Sequence, residues 1–257
     1  MCRRIIAARG APRVSPRRTR IVGWTLAVLA IAAFVSLGQW QLSRMSQKQA
    51  TLDAVAATLD ARTPVPLAAA GDAARARDYD WSGGRGRFVD RPAFVLDNQI
   101  QAGVPGLRVY RLFAPDGSPP LLVDLGWTAL VDRTTRSPDA VIVRGDGLLG
   151  RDLELRGLLA PPPSPGLALG PALAPGDAVL MTRIDIAAIA AESGLPALPP
   201  RVLRLDPALD IGYLRDLDVL PNTLTPDKHL GYAVQWFGLA LAVLAIALVL
   251  TFRTRRR

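Results

Sequence analysis

Histidine and cysteine are almost absent from this sequence, which has one of each, His229 and Cys2. A single cysteine cannot form a disulfide within the chain, and one cysteine with one histidine cannot build a Cys/His zinc site. A Ser-His-Asp relay would have to use His229. There is no H-E-x-x-H motif or P-loop, and no G-x-G-x-x-G fingerprint opens a helix. We therefore expect a protein that is not an enzyme.

Charged residues are missing from two long apolar runs, one near each end of the chain. Residues 21–37 and 231–252 contain no charged side chain, and about 20 apolar residues suffice for a helix to cross a bilayer. We therefore predict transmembrane helices over residues 21–40 and 229–252. Aromatic residues, which favour the membrane interface, lie near the ends of both runs. They are Trp24, Trp40, Tyr232, Trp236 and Phe237.

Acidic residues are missing from both tails, which are rich in arginine. Residues 1–20 contain seven arginines and residues 253–257 contain four. Flanking cations stay on the cytoplasmic side, so we expect both termini in the cytoplasm and residues 41–228 outside the membrane. The tails also account for the formal net charge of +9 without a nucleic-acid partner. A cleaved signal peptide is the alternative interpretation of the first run.

The residues between the two runs are typical of a β-rich domain. In residues 151–159, apolar and charged side chains alternate, which predicts a strand. Other strands are predicted over residues 93–97, 107–113, 121–124, 178–184 and 201–205. One helix is predicted between Asp185, which can cap its start, and Gly194, which can end it. The predicted fold is therefore a membrane protein with two transmembrane α-helices flanking an external α+β, β-rich domain.

Several segments of this domain are predicted to be irregular or solvent-exposed. Gly83–Gly86 and the regions 97–98 and 103–106 are interpreted as turns, and the proline-rich segment 161–176 as a loop. Scattered carboxylates are assigned to a solvated surface. They are Asp78, Asp80, Asp116, Asp124, Asp132 and Asp139.

Chemistry-bearing side chains are concentrated where each apolar run meets its external side. Trp40 and Arg44 are one helical turn apart, on one face. Gly38 has no side chain and permits close approach of a second helix. Trp40 is explained equally well as an interfacial aromatic residue, and Arg44 as a side chain that extends to the membrane surface.

The second group contains His229, Tyr232 and Trp236, spaced i, i+3 and i+7 along one helical stripe. We expect the two helices to present these residues and Trp40/Arg44 to each other. A lone interfacial histidine is more often solvated or a helix cap than a metal ligand. A neutral imidazole is nevertheless a common ligand of haem iron, and a nearby arginine can pair with a propionate.

Five segments carry a resemblance to a known family. They are GQWQLSR (residues 38–44, with Lys48 following), DNQIQAGVPGLRVY (97–110), LLVDLGW (121–127), Arg183-Ile184-Asp185, and PNTLTPDKHLGYAVQWFGLAL (221–241). In these the sequence resembles the Surf-one (surfeit locus protein) family of cytochrome c oxidase assembly factors. The resemblance implies two membrane helices around an external β-rich domain. Leu125 stands where the family usually has an arginine.

The resemblance implies a role in cytochrome c oxidase assembly at the bacterial inner membrane. Some bacterial members bind haem a, which implies that His229 ligates the haem iron, with Trp40, Arg44, Tyr232 and Trp236 around the ring. The implied partners are the catalytic subunit of the oxidase, the haem a synthesis machinery and the lipid bilayer. The alternative is a scaffold that holds assembly intermediates without binding haem. A two-span sensor lacks an output domain in its tails, and a membrane-anchored enzyme lacks a catalytic constellation.

Overall fold

The computed structural model describes residues 16–129, 147–163, 170–219 and 224–255. The chain divides into two compact units. One contains Met1–Thr51 and Leu224–Arg257, and the other is Leu52–Thr223. As predicted, two long apolar helices flank a mixed-sheet domain.

The helices of the first unit are α1 (Pro16–Ala61), which continues into the second unit, and α3 (Pro226–Arg255). Trp24 near the start of α1 donates a hydrogen bond to Thr251 near the end of α3 (3.0 Å), whereas Phe34 stacks on Trp236 at a centroid distance of 5.7 Å. The two helices are therefore antiparallel. Both are long and apolar enough to cross a membrane, and their most apolar stretches are almost entirely exposed.

The described part of the second unit contains nine strands and one α-helix. The strands are β1 (Val65–Pro66), β2 (Asp80–Phe88), β3 (Phe94–Gln101), β4 (Val104–Pro115), β5 (Leu121–Ala129), β6 (Asp152–Ala160), β7 (Leu173–Ala174), β8 (Val179–Met181) and β9 (Val202–Leu205). The helix is α2 (Ile186–Glu192). Their order in the sheet is β1-β2-β6-β9-β5-β4-β3-β8-β7. The strands predicted over residues 93–97, 107–113, 121–124, 151–159 and 201–205 are confirmed to within a few residues, whereas the one predicted over 178–184 is a strand only at Val179–Met181. Strands β1, β2 and β7 were not predicted.

Five of these strands close into a ring, because β2 pairs with β4 as well as with β6. The closing contact joins Gly86 to Pro115 and Phe88 to Phe113. A Cβ on Gly86 would lie 2.2 Å from the carbonyl oxygen of Ala114, so only glycine permits this approach. The prediction of a turn at Gly83–Gly86 was therefore wrong: these residues belong to β2.

The core of the second unit has a main cluster inside the ring and a second cluster on the outer side of the sheet. All five ring strands contribute side chains to the main cluster. One from each strand, in the order β2, β4, β5, β6 and β9, is Phe88, Val109, Leu125, Leu155 and Leu203. Leu125, which departs from the family pattern, is therefore a core residue. The second cluster packs α2 against β3, β4 and β8. A third, smaller cluster contains residues from the end of α1 and from β6.

The start and end of α2 follow their sequence signals. Oδ1 of Asp185 accepts a hydrogen bond from the backbone N–H of Ala188 (3.0 Å), as expected for an N-cap. Gly194 follows the helix with φ = +67°, which glycine adopts readily. Both predictions are confirmed.

Two other turn and loop assignments need correction. Asn98 has φ = +56°, but it forms a bulge within β3, between Leu96 and Gln99. The chain reverses after β3 at Ala102-Gly103, and residues 104–106 of the predicted turn belong to β4. The proline-rich segment includes strand β7, which pairs with β8. Residues 164–169 of that segment lie outside the described residues.

Asp80 is not on the solvated surface. It lies in β2, and its carboxylate is 2.6 Å from Nη1 of Arg201 and 2.6 Å from Nη2 of Arg75. The Arg201 side chain is 0% exposed. A buried carboxylate requires a paired charge of this kind, and the prediction of surface position was wrong here.

Asp124 is also buried, in β5. Its carboxylate lies 3.5 Å from Nε of Arg108 and 3.7 Å from Nε of Arg204, on the two neighbouring strands. Tyr110 lies directly opposite in β4. Burial raises the pKa of the Tyr110 phenol well above its ordinary value, and the Asp124 carboxylate adds to this, whereas Arg108 and Arg204 oppose it. Asp124 therefore belongs to an internal ion cluster.

The remaining carboxylates divide into two groups. Asp78 and Asp116 are exposed, as predicted. Asp132 and Asp139 lie outside the described residues.

Candidate functional site

The histidine lies in the first turn of α3. Proline at the first helical position, Pro226, has a backbone angle suited to helix initiation. The backbone N–H groups of Lys228 and His229 both donate to the carbonyl oxygen of Thr225 (3.1 and 3.2 Å). The position of His229 is therefore fixed from the first turn of the helix. Its side chain is buried, with 5% of the residue exposed.

The imidazole ring has one hydrogen-bond partner and one free nitrogen among the described residues. Nδ1 of His229 lies 2.6 Å from Oε1 of Gln41 on α1. Nε2 is buried, and no described residue offers it a hydrogen-bond partner. A buried polar atom without a protein partner is uncommon, and this nitrogen is therefore available to a ligand from outside the chain. We refer to His229 and Gln41 as the histidine–glutamine pair.

The two helices are close enough for this contact because of small residues between them. A Cβ on Gly38 would lie 2.6 Å from Cε1 of Phe237, so any side chain there would overlap the aromatic ring. Ala233, one turn after His229, is almost completely buried. Small residues at a helix–helix contact allow the backbones to approach closely, which confirms the expectation for Gly38.

The other predicted site residues of α1 lie beside the pair. Trp40 is 50% exposed, and the Arg44 guanidinium lies over its ring, with Cζ 5.8 Å from the ring centroid. Arg44 also donates to Oε1 of Gln47 (3.2 Å). The structure therefore brings Trp40 and Arg44 together, as their spacing predicted, but the α1 residue in contact with His229 is Gln41.

The other predicted site residues of α3 have different environments from His229. Tyr232 is 41% exposed, and Trp236 stacks on Phe34. Gln41 was not predicted because an uncharged amide is less distinctive in sequence than its aromatic and charged neighbours Trp40 and Arg44. Its signal was the i, i+3 spacing from Gly38, which places both on the same helix face.

A positive region lies next to the histidine–glutamine pair. Arg44 and Lys48 follow Gln41 at i+3 and i+7. The positive charges of both are near enough to His229 to interact with it electrostatically. The ammonium group of Lys48 donates to the carbonyl oxygen of Leu224, which ties α1 to the segment just before α3. The region thus combines a free imidazole nitrogen with two cations.

This arrangement provides one strong donor atom for a metal and not a complete protein cage. Among the described residues, no group of three or more His, Cys, Asp or Glu side chains could hold a metal ion. A metal that brings its own macrocycle, such as haem iron, needs only one or two axial ligands from the protein.

Comparison with known proteins identifies the family. The model of the SURF1 family matches residues 28–241, which is most of the chain and includes Gly38, Gln41, Arg44, Lys48 and His229. No curated protein matches the sequence. The chain therefore belongs to the SURF1 family, which is associated with cytochrome c oxidase assembly.

Proposed function

We propose that this protein assists cytochrome c oxidase assembly by holding haem a at His229 and passing it to the catalytic subunit. The observation that carries the proposal is the buried, unpartnered Nε2 of His229 between two apolar helices. Haem a is cargo in this process. The protein makes and breaks no covalent bond, and its residues ligate, orient and shield the ring.

The residues around His229 suit this cargo. A neutral imidazole nitrogen is a common axial ligand of haem iron. The two cations, Arg44 and Lys48, can pair with the propionate carboxylates. The exposed ring of Trp40 provides apolar surface next to the Arg44 guanidinium, and Tyr232 and Trp236 lie about one and two turns along α3 from His229. Because Nε2 is covered, a covering side chain has to move aside before iron can reach it.

The two helices would place this site at a bilayer surface. Their outward-facing side chains are large, apolar and exposed, for example Leu26 and Leu241. Extended exposed apolar surface indicates a membrane or protein contact, and both helices are long enough to span. With arginine-rich ends on the cytoplasmic side, the sheet domain would lie on the external side of a bacterial inner membrane, where it could reach the oxidase catalytic subunit and the haem a synthesis machinery.

Reporter fusions test this topology. A reporter that is active only outside the membrane should work when it is inserted at Gly117, in the loop between β4 and β5, because the sheet domain is external. The same reporter should be inactive at either terminus, where a reporter that is active only in the cytoplasm should work. An externally active reporter at the C-terminus would contradict the proposed orientation.

A scaffold that does not bind haem is the second candidate. It is favoured by exposed apolar side chains on the sheet domain, namely Ile100 and Val104 on either side of the β3–β4 turn, and Leu214. Such side chains are suited to contact with another protein. The two candidates differ in one measurable property, because only the first requires haem to remain with the purified protein.

His229→Ala tests the haem proposal. We expect purified wild-type protein, co-expressed with haem a synthesis, to carry haem a, and the variant to lose at least about nine-tenths of it, because the axial ligand is gone. The measurement is the absorption spectrum together with the extracted haem per protein. In a strain lacking the chromosomal gene, the variant should restore less oxidase activity than the wild type.

The matched control is Leu230→Ala, which shortens an exposed neighbour of His229 on the same helix turn. It should retain haem and insert into the membrane normally. Wild-type haem content and an unchanged spectrum in His229→Ala would exclude axial ligation and favour the scaffold.

A further inference from the structure

We infer that Gln41 is a positioning residue that holds His229 in the tautomer protonated on Nδ1, so that Nε2 carries the free lone pair. The inference depends on the proposed function only for the identity of what Nε2 binds. The tautomer itself is a property of the protein without cargo.

The geometry of the pair selects this tautomer. In the structure Oε1 of Gln41, and not its amide nitrogen, lies 2.6 Å from Nδ1. A carbonyl oxygen can only accept a hydrogen bond, so in this amide orientation Nδ1 donates. A neutral imidazole carries one ring N–H, and therefore Nε2 has none. Metal binding by imidazole uses the unprotonated nitrogen.

The opposite tautomer would be penalised twice. With the proton on Nε2, the lone pair of Nδ1 would face the lone pairs of Oε1 at 2.6 Å. The Nε2–H group would also be buried without an acceptor among the described residues, and a buried donor without a partner is costly. Each effect alone is enough to shift the tautomer ratio by about tenfold.

A glutamine suits this position better than a carboxylate. The pair is buried between two apolar helices, where an extra negative charge would be expensive. The amide fixes the ring orientation without adding a charge, and the imidazole stays neutral. Residues that accept a hydrogen bond from the second nitrogen of a metal-binding histidine commonly set its tautomer and orientation in this way.

The single histidine makes a direct test practical. Full-length protein, labelled with nitrogen-15 in histidine and free of haem, gives one pair of ring-nitrogen signals, and both belong to His229. At alkaline pH, where imidazole is neutral, we expect Nδ1 to give the chemical shift of a protonated nitrogen and Nε2 that of an unprotonated one. The reverse assignment in the wild type would overturn the inference.

Gln41→Met removes the acceptor and keeps the side-chain length. We expect the ratio of the Nδ1–H tautomer to the Nε2–H tautomer to fall by about tenfold or more. Gln41→Glu retains an oxygen acceptor and should restore the wild-type pattern. Gln39→Met is the matched control, because Gln39 is an exposed glutamine on the same helix, and it should leave the ratio unchanged.

Haem retention separates this inference from the proposed function. If haem binds, Gln41→Met should weaken its retention about 10- to 100-fold, as is usual for loss of such a partner. If the wild-type protein shows the Nδ1–H tautomer but never carries haem, the positioning role stands and the haem proposal fails. If Gln41→Met leaves the tautomer ratio unchanged, Gln41 is only a helix–helix contact and the inference is wrong.

Discussion

Gly38→Leu is expected to separate α1 from α3 at the level of the site and to abolish haem retention. The first added carbon would lie 2.6 Å from Cε1 and 2.7 Å from Cζ of Phe237. The ring could move aside for one methyl group, but a leucine adds three more carbons along the same contact. Overpacking costs about 1–3 kcal/mol or more, so the close-packed state should be depleted about tenfold or more.

Two readouts follow from this separation. The ring-nitrogen signals of His229 should lose the signature of the hydrogen bond to Gln41, and haem per purified protein should fall at least about tenfold. Gly238→Leu is the control, because a side chain at Gly238 on α3 meets open space. Equal haem retention in the two variants would show that close approach of the helices at Gly38 is not needed for the site.

Arg201→Met is expected to destabilise the sheet domain more than any change in a surface ion pair. The arginine is fully buried, pairs with Asp80 at 2.6 Å, and donates to the carbonyl oxygen of Ala69. Removing one partner of a buried ion pair costs about 3–5 kcal/mol. Arg75 also contacts the Asp80 carboxylate and would still offset part of its buried charge. We therefore expect the free energy of unfolding to fall by about 3 kcal/mol, at the lower end of this range.

Denaturant unfolding of a protein containing residues 52–223 measures this effect. The control is Arg85→Met, because Arg85 and Glu154 form an ion pair whose side chains are 78% and 73% exposed. Loss of such a pair changes the free energy of unfolding by about 0–1 kcal/mol. If both variants lowered the free energy of unfolding by a similarly small amount, the buried Arg201–Asp80 pair would not be important for the stability of the domain.

The sequence predicted those parts of the fold in which local chemistry and tertiary packing agree. Asp185 and Gly194 bound α2 because capping and positive φ are properties of single residues. The turn prediction at Gly83–Gly86 was wrong because glycine also permits close contact between backbones. The strand that makes this contact, β4, follows later in the chain, so the local sequence does not reveal it. The burial of Asp80 could not be predicted for the same reason: Arg201, its partner, is 121 residues away.

The candidate site was predicted in part. His229 stood out because it is the only histidine, and Gly38 because a missing side chain has one clear use in a helix pair. The pairing of His229 with Gln41 depends on the rotation of α1 about its axis. Helical spacing groups Trp40 with Arg44 and Gly38 with Gln41, but it does not say which of these two faces meets α3.

Proline occupies both edges of the sheet. The outermost strands, β1 and β7, contain two residues each; Pro66 ends one, and Pro171 and Pro175 flank the other. Proline lacks the backbone N–H group with which an added strand would form a hydrogen bond. The two-residue edge strands also offer an added strand little length for pairing. An unpaired strand of another chain can extend an open sheet edge through backbone hydrogen bonds. Both edges therefore disfavour strand addition, so a partner of the sheet domain would have to bind through side chains and not by extending the sheet.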